Sequence, residues 1–384
     1  MCSDFIRPAR LLHKHMIQPA LSGVCPVYKT GVMLDYIYQA FAARIVFGVG
    51  KIDLVREEAD RLDASSVLLV CTNSQKAVAD TVAQNLGARV TARVNGAVMH
   101  VPRENANEAI SQAKQADCDC VIAIGGGSAI GIAKAVALET GLPIIAVPST
   151  YAGSEMTDIW GISEGEGKTT GRNPVVVPKT VIYDPDLTRG LPPKLAGPSA
   201  INAMAHSVEA LYAQNRNPVL SIFAEEGIRG LASGLPAICG GAADDVARAN
   251  ALNGAFLCGL ALATATMGIH HKLCHVLGGS FGMPHAETHT VILPHATNYN
   301  RNAAPEAMTA IARALGSETA GGGLFDFVSS IEAPTSLKEL GFEAKNLDRA
   351  ADIATESPYY NPRPVDRDSV RELLENAFHG RRPN

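Results

Sequence analysis

The sequence predicts an α/β domain that binds a dinucleotide on a Rossmann-like parallel sheet, followed by an all-α domain. Short β-branched runs alternate with helix-length amphipathic segments between residues 44 and 150. A glycine-rich turn follows one of these runs at residues 125–128. After Asp184-Pro185 the strand-like runs stop, and the chain becomes rich in Ala, Leu and Gly with helical periodicity. Together these three observations predict the fold class.

The hydrophobic pattern also predicts the individual elements and the domain limits. Strands are expected at residues 44–47, 66–71, 90–94, 120–124 and 143–148, and helices at 51–62, 74–86 and 104–117. Residues 158–183 are typical of a β-hairpin or an irregular sheet edge. The glycine runs at 240–241 and 321–323 are expected to break helices. The predicted divisions are a poorly structured N-terminal extension at 1–34, a dinucleotide-binding domain at 35–190 and a helical catalytic domain at 191–384.

Composition excludes several classes of protein. The net charge is −5 and only 5% of the residues are aromatic, so we expect neither a nucleic-acid nor a membrane partner. Eight scattered cysteines form no Cys-x-x-Cys pair, and the N-terminus has no apolar core of signal-peptide length. Both features indicate a cytoplasmic protein with reduced thiols. The apolar stretch 251–269 contains Asn253 and several glycines, which favours a buried central helix over a membrane span.

Three segments are candidates for binding a nucleotide. Gly125, Gly126 and Gly127 lie between a strand and a helix, where backbone N–H groups can cradle phosphate, and Ser128 can cap that helix or bind a phosphate oxygen. Taken alone, this turn is as typical of a plain tight turn, because it lacks the spaced Gly-x-Gly-x-x-Gly pattern. The loop after the next strand adds hydroxyl groups at the same sheet edge, and the two loops together favour nucleotide binding. The remaining candidates are Ser149, Thr150 and Ser154 in that loop, and Thr72 and Asn73 after strand 66–71.

A group of histidines forms the candidate catalytic site. His271 and His275 are four residues apart and share one face of a predicted helix, and Asn202 and His206 have the same spacing on another. His285 follows Pro284 at a predicted turn. Histidines at helical spacing on separate segments of an apolar domain indicate an active site, whereas a lone histidine is more often structural.

These motifs together resemble the iron-containing alcohol dehydrogenase family, which shares its fold with dehydroquinate synthase. The resemblance covers about residues 36–380 and rests on Gly-Gly-Gly-Ser at 125–128, the loop at 147–157 and the ordered histidines. Within the family it is strongest to the maleylacetate reductases. Two positions depart from the wider family: Asn202 occupies the place of a metal-binding acid, and Gly131 that of an aspartate. An amide and three neutral imidazoles leave the charge of a divalent ion unbalanced, so no bound metal is expected.

The resemblance implies reduction of the conjugated double bond of maleylacetate, a dicarboxylate, to 3-oxoadipate with NADH or NADPH. This reaction belongs to the breakdown of aromatic compounds. The residues after strand 66–71 include no acid to repel a 2′-phosphate, so NADPH is expected to be tolerated beside NADH. His275 is the expected proton donor or oxyanion partner. Other expected catalytic residues are His271, His206, His285 and Lys272, and the expected substrate-binding residues are Tyr151, Arg172, Lys272 and Asn202. A homodimer is expected from the apolar character of the chain.

Other functions remain open at this point. A metal-dependent alcohol dehydrogenase of the same fold would use Asn202 as a weak fourth ligand to iron or zinc. A lyase or cyclase on the dehydroquinate-synthase-like scaffold would need a tightly held metal and more lysines and arginines. A non-enzymatic nucleotide sensor would have little use for the histidines.

Overall fold

The structure is a computed structural model that describes residues 36–384 except 42, 99, 100 and 166. The predicted N-terminal extension lies outside the described residues. The predicted fold class is confirmed: a parallel sheet is followed by helices. The last strand ends at Tyr183 and the next α-helix begins at Pro193, while the domain limits themselves stay a prediction.

Six parallel strands form the main sheet in the order β1-β8-β5-β4-β2-β3. Side chains of successive strand residues enter two different cores, so both faces of the sheet are buried. Two further strands, β6 and β7, pair as an antiparallel hairpin. The strands are β1 (Arg44–Phe47), β2 (Val67–Cys71), β3 (Val90–Asn95), β4 (Cys120–Gly125), β5 (Ile144–Pro148), β6 (Ile159–Glu164), β7 (Gly167–Arg172) and β8 (Thr180–Tyr183).

The interpretation of residues 158–183 was only half right. Residues 159–172 form the expected hairpin, but β8 lies inside the main sheet between β1 and β5. All four residues of β8 are buried, so the strand lacks the polar alternation of an edge. A short continuous apolar run is typical of an interior parallel strand, and the turn residues before it obscured that signal.

Helices α1–α4 cover the sheet, and α5–α13 make up the rest of the described chain. Their bounds are α1 (Val55–Asp60), α2 (Lys76–Leu86), α3 (Arg103–Gln115), α4 (Gly127–Thr140), α5 (Pro193–Ala210), α6 (Pro218–Cys239), α7 (Asp245–Thr264), α8 (Ile269–Phe281), α9 (His285–Tyr299), α10 (Pro305–Leu315), α11 (Ala320–Ser330), α12 (Leu347–Thr355) and α13 (Arg367–His379). The glycines at 240–241 follow the end of α6, as predicted, but those at 321–323 lie within α11. A Cβ at Gly321 would come within 2.9 Å of the Asn298 side chain on α9, so glycine there permits close helix packing.

The stretch 251–269, predicted to be one buried central helix, leaves the helical conformation after Thr264 and before α8 begins, and α7 packs against α5 and α6. Helix α7 is long and apolar enough to cross a membrane by length and composition alone. Its contact with α6 is made by glycines: a Cβ on Gly254 would lie 2.5 Å from the backbone nitrogen of Leu231. Such a close approach of two backbones indicates a packed core helix.

The order of the strands determines where a ligand can bind. The chain passes from β2 to the edge strand β3, returns to β4 on the other side of β2, and then continues to β5. The crossovers therefore change direction between β2 and β4, which opens a crevice at the carboxyl ends of these strands. The segments after β2, β4 and β5 meet at this crevice, and they are the three that the sequence singles out.

Candidate active site

The loops at the sheet edge are packed against one another. Gly125 has φ 149°, and a Cβ there would lie 2.9 Å from the Thr72 side chain. A Cβ on Gly126 would lie 2.9 Å from Thr150. The two glycines therefore let the turn after β4 fit between the segments that follow β2 and β5. Of these segments, Asn73 is exposed, and Ser149 is buried, with its N–H bonded to the Gly125 carbonyl at 3.0 Å.

The first turn of α4 offers unpaired hydrogen-bond donors to an anion. The cap residue Gly126 makes no side-chain cap, Gly127 is exposed and Ser128 is half-buried. Ser154 Oγ is buried and has no hydrogen-bond partner among the described residues. A 14-residue helix with open N–H groups, glycine at its start and a spare hydroxyl beside it suits a pyrophosphate. These residues therefore fit a nicotinamide dinucleotide.

The side chain of Lys134, on α4, binds the loop that follows β5. Its Nζ donates to the carbonyls of Ser154, Thr157 and Ile159 at 2.7–2.8 Å and contacts Thr157 Oγ1 at 3.0 Å. Burial lowers the pKa of Lys134 to about 7, although the negative charge of Glu155 acts to raise it. The loop therefore keeps its shape through a buried amine on α4.

Gly131 is one of the two departures from the wider family, and the space beside it is occupied by a neighbouring side chain. A Cβ on Gly131 would lie 2.5 Å from Val101 Cγ2. Val101 is buried and has φ 51°, an unusual backbone conformation for a β-branched residue. The space that a side chain at 131 would need is therefore occupied.

Helices α5, α8 and α9 bring six histidines together, which we call the histidine cluster: His206, His270, His271, His275, His285 and His289. The rings of His206 and His271 stack at 5.1 Å, and His275 lies 6.2 Å from His271. His275 and His285 are exposed, while the other four are buried. The four predicted histidines are thus together, with two at the base of the cluster and two toward solvent.

Glu209 is the main residue of the cluster that the sequence interpretation missed. Its side chain is fully buried, and its Oε2 lies 2.7 Å from His271 Nδ1. The same carboxylate accepts the N–H groups of Gly268 and His270 at the start of α8, at 3.0 and 2.9 Å. A carboxylate only accepts, so His271 carries its proton on Nδ1, and its Nε2, which has no hydrogen-bond partner among the described residues, is left for a ligand. A lone acid three residues after His206 in an apolar helix was the available signal.

His270 and His289 were also missed as members of the cluster. His270 Nε2 and His289 Nδ1 are 2.9 Å apart, and Cys274 Sγ lies 3.6 Å from His270 Nε2. Burial holds the pKa values of both histidines well below their ordinary value, as do the neighbouring histidines. Both are therefore neutral in this packing. A histidine one turn after His285 on α9 was the available signal.

Several polar atoms in the cluster have no hydrogen-bond partner among the described residues. These buried atoms are His206 Nδ1, His270 Nδ1, His271 Nε2 and His289 Nε2, together with Asn202 Oδ1 on α5. Burial, with smaller effects of His271 and His285, holds the pKa of His206 well below its ordinary value. Unpaired buried polar atoms are rare in folded proteins and favour a site that is completed by a ligand.

Three other predicted residues make contacts outside the histidine cluster. Lys272 Nζ is 5.9 Å from the ring centre of Tyr359. Arg172 is engaged by Asp158 at 2.7 Å and by the carbonyl of Ala263 at 3.0 Å, and so joins the hairpin to α7. Tyr151 is fully buried, and its hydroxyl lies near Thr188, so a contact with substrate would require its ring to leave the core.

The residues at the family's metal position lack the negative charge that favours a tightly held divalent ion. Asn202, His206, His271 and His285 supply neutral donors and no carboxylate. Among the described residues, the His, Cys and acidic ligand atoms that gather within 4.8 Å belong instead to His270, Cys274 and His289. The unpaired Asn202 Oδ1 and His271 Nε2 are acceptors as placed, so a hydrogen bond from either residue to a substrate oxygen requires the amide to turn or the imidazole to take a second proton.

Comparison with known proteins places this geometry in context. Residues 42–185 match the sequence profile of iron-containing alcohol dehydrogenase, and residues 198–378 match that of the C-terminal part of the Fe-containing alcohol dehydrogenase family. Maleylacetate reductase of Burkholderia cepacia is 49% identical over 92% of this chain and 100% of its own. The crystal structure of maleylacetate reductase from Agrobacterium tumefaciens superposes with a TM-score of 0.89 at 46% identity, covering 91% of this chain and 100% of that one. An iron-containing alcohol dehydrogenase from Corynebacterium glutamicum gives 0.87 at 40% identity, covering 92% of this chain and 99% of that one.

Proposed function

Because the chain belongs to the iron-containing alcohol dehydrogenase family, we propose that it reduces the conjugated double bond of maleylacetate to 3-oxoadipate with NADH or NADPH. We propose further that its own side chains, rather than a bound metal, stabilise the charge that develops. The observations that support this are the Oδ1 of Asn202 and the Nε2 of His271, which are unpaired among the described residues, and the Glu209 carboxylate that holds His271 Nδ1. The similarity to maleylacetate reductases supports the choice of substrate.

The reaction makes two demands on the protein. The reduced nicotinamide supplies a hydride to the alkene carbon β to the ketone, and negative charge then grows on the ketone oxygen as an enolate. The carbon between them takes a proton, which completes the single bond. The protein must therefore place hydrogen-bond donors at the oxygen and one acid near the carbon.

Asn202 and His271 are the proposed donors to the enolate oxygen. An amide can turn its Nδ2 toward an oxyanion, whereas a carboxylate at the same position would repel it. Glu209 stabilises an imidazolium at His271 and fixes its ring, as the buried acid does in a catalytic triad. A hydrogen-bonded cation thereby takes the part that a Lewis acid plays in metal-dependent relatives.

His275 is the proposed acid. It is exposed at the mouth of the histidine cluster, so it can take a new proton from solvent after each turnover, and histidine titrates near neutral pH. His275→Ala is expected to lower kcat by about two orders of magnitude, the usual effect of removing a general acid. His379→Ala on the surface of α13 is the matched control. Near-normal kcat in His275→Ala would exclude this role.

The carboxylates of the substrate need cationic partners, and Lys272 is our first candidate. It follows His271 on α8, and its Nζ lies 5.9 Å from the ring centre of Tyr359. Arg172 is the weaker candidate, because Asp158 already neutralises it. Lys272→Met is expected to raise KM for maleylacetate more than it lowers kcat, since a carboxylate contact is present before and during the reaction.

The cofactor is proposed to be NADH or NADPH. The segment after β2 presents Thr72 and Asn73, and Thr72 Oγ1 contacts the Ser74 hydroxyl at 3.2 Å. An acid at this position would exclude a 2′-phosphate by charge repulsion. The ratio of kcat/KM for the two cofactors measures this, and a preference for NADH above about a thousandfold would contradict it.

The deciding experiment separates this function from a metal-dependent alcohol dehydrogenase, which the similarity to the Corynebacterium protein favours. The protein is dialysed against a chelator, its metal content is measured, and oxidation of NADH by maleylacetate is followed with chelator present. We expect full turnover with far less than one metal per chain. Loss of turnover that returns with iron or zinc would establish the metal-dependent alternative.

A further inference from the structure

We propose that His270, Cys274 and His289 form a site for a thiophilic divalent cation such as Zn²⁺, separate from the metal position of the family. The family position uses the residues at 202, 206, 271 and 285, none of which belongs to this group. The proposed site lies at the contact between α8 and α9. It does not depend on the proposed reaction.

The ligand atoms have a spacing that a zinc ion can accept. His270 and Cys274 are four residues apart on α8 and therefore share a face, and His289 meets them from α9. His270 Nε2 is 2.9 Å from His289 Nδ1 and 3.6 Å from Cys274 Sγ, and all three atoms lie within 4.8 Å of one another. Tetrahedral zinc with ordinary bond lengths needs about 3.4 Å between nitrogens and about 3.6 Å between nitrogen and sulfur. The two rings must therefore separate by about half an ångström, and Cys274 Sγ and His289 Nδ1, which lie within 4.8 Å, must be about 3.6 Å apart.

The surroundings supply a closed apolar shell and a balancing charge. The three side chains are at most 2% exposed, and they lie beside Ile269, Leu273 and Leu277. Burial and the nearby carboxylate of Glu209 raise the pKa of the Cys274 thiol. A cation that binds there displaces the thiol proton to solvent and takes one lone pair from each histidine. The thiolate and Glu209 then balance its two positive charges.

Occupation of this site would act on the histidine cluster. The ring of His289 lies 4.4 Å from that of His285 and 5.0 Å from that of His271. An ion held by His289 replaces its hydrogen bond to His270 and fixes both rings. The bound ion would thus link α8 to α9. It would restrict the histidine rings that face the substrate without contacting the substrate itself.

Cobalt(II) is the probe that tests the site, because a thiolate ligand gives a near-ultraviolet charge-transfer band that nitrogen and oxygen ligands do not. The chelator-treated protein is titrated with Co²⁺ and then with Zn²⁺. We expect one equivalent of Co²⁺, the thiolate band, and displacement of Co²⁺ by Zn²⁺. The zinc-loaded protein should unfold at a higher temperature.

Variants assign the ligands. Cys274→Ser should abolish the band, and Cys258→Ser, which removes a buried thiol on α7, should leave it unchanged. His289→Gln should weaken cobalt binding at least about tenfold, and it provides a second test if Cys274→Ser folds poorly. Absence of the band in the wild-type protein would overturn the proposal. Its persistence in Cys274→Ser, or its loss in His206→Ala with retention in His289→Gln, would overturn it as well.

Discussion

The sheet-edge loop and the histidine cluster differ in how far their buried polar atoms are hydrogen-bonded. In the loop, Lys134 has four acceptors and the Glu155 carboxylate accepts the hydroxyl of Tyr183 at 2.7 Å. In the cluster, Asn202 and His271 keep buried atoms without partners among the described residues. The loop is therefore held in shape by its own hydrogen bonds, although Ser154 Oγ and the Tyr151 hydroxyl have no partner among the described residues. The cluster holds back hydrogen-bonding capacity for a substrate whose charge changes during the reaction.

Removing the charge of Glu209 should disrupt the cluster most. Glu209→Gln keeps an oxygen for the backbone N–H groups of α8 but no longer stabilises an imidazolium at His271. We expect kcat to fall by about 10²-fold or more, with a changed pH profile of kcat. Glu225→Gln is the matched control, because this buried acid pairs with Arg313 far from the cluster, and it should lower stability without changing the pH profile. An unchanged profile in Glu209→Gln would reduce Glu209 to a structural residue.

Restoring an acid at 202 should turn the cluster toward metal binding. Asn202→Asp adds a carboxylate beside three histidines and removes the amide donor. We expect bound Zn²⁺ or Fe²⁺ to rise by about one per chain above the wild-type content, and chelated enzyme to lose about tenfold or more in kcat through repulsion of the enolate. Metal analysis and parallel assays measure both. Wild-type turnover in the chelated variant would show that the amide donor is dispensable.

Lys134→Met tests whether the loop is held as a finished unit. It leaves several buried acceptors without a donor and should lower the free energy of unfolding by about 1–3 kcal/mol and raise KM for NADH. Because the folded pKa of Lys134 is about 7 and the unfolded value is 10.5, only the unfolded state binds this proton between them. Stability from this residue therefore rises with pH across that window.

Denaturant unfolding of wild type and Lys134→Met at pH 7 and pH 9 measures this contribution. The wild type should gain up to about 3 kcal/mol relative to the variant over the two pH units. Equal slopes would mean that the folded and unfolded states bind the proton alike.

Ser154→Ala should have the smallest effect. Ser154 Oγ is buried without a partner among the described residues. If it donates to a phosphate oxygen, its loss should raise KM for NADH about threefold to tenfold with little change in kcat. An unchanged KM would mean that the cofactor does not contact this hydroxyl.

Local patterns predicted most of the fold. The strands and the glycine turn could be predicted because each corresponds to a continuous run of residues whose composition has a known structural cause. The order of the strands could not be predicted, and the pattern at 158–183 indicated a sheet edge where β8 is an interior strand. Both failures arise because pairing partners are set by contacts between distant segments. The glycines at 321–323 look like breakers in isolation, and only the approach of α9 explains them.

At the site, helical spacing predicted His206, His271 and His275 but not the residue that positions His271. Glu209 belongs to the cluster because α5 crosses the start of α8, which no periodicity in either helix reveals. The expected roles of Arg172 and Tyr151 rested on chemical type and position in a motif. Their actual partners, Asp158 and the region of Thr188, come from tertiary packing.

The pairing of Gly131 with Val101 has a consequence for the history of this enzyme. An aspartate placed at 131 by one mutation would collide with the valine, and trimming the valine alone would leave a hole in the core. Passage between the two arrangements therefore demands coordinated change at both positions. In a phylogenetic tree, this pair of sites should mark the separation between branches more durably than the single codon at 202, which one nucleotide change can convert.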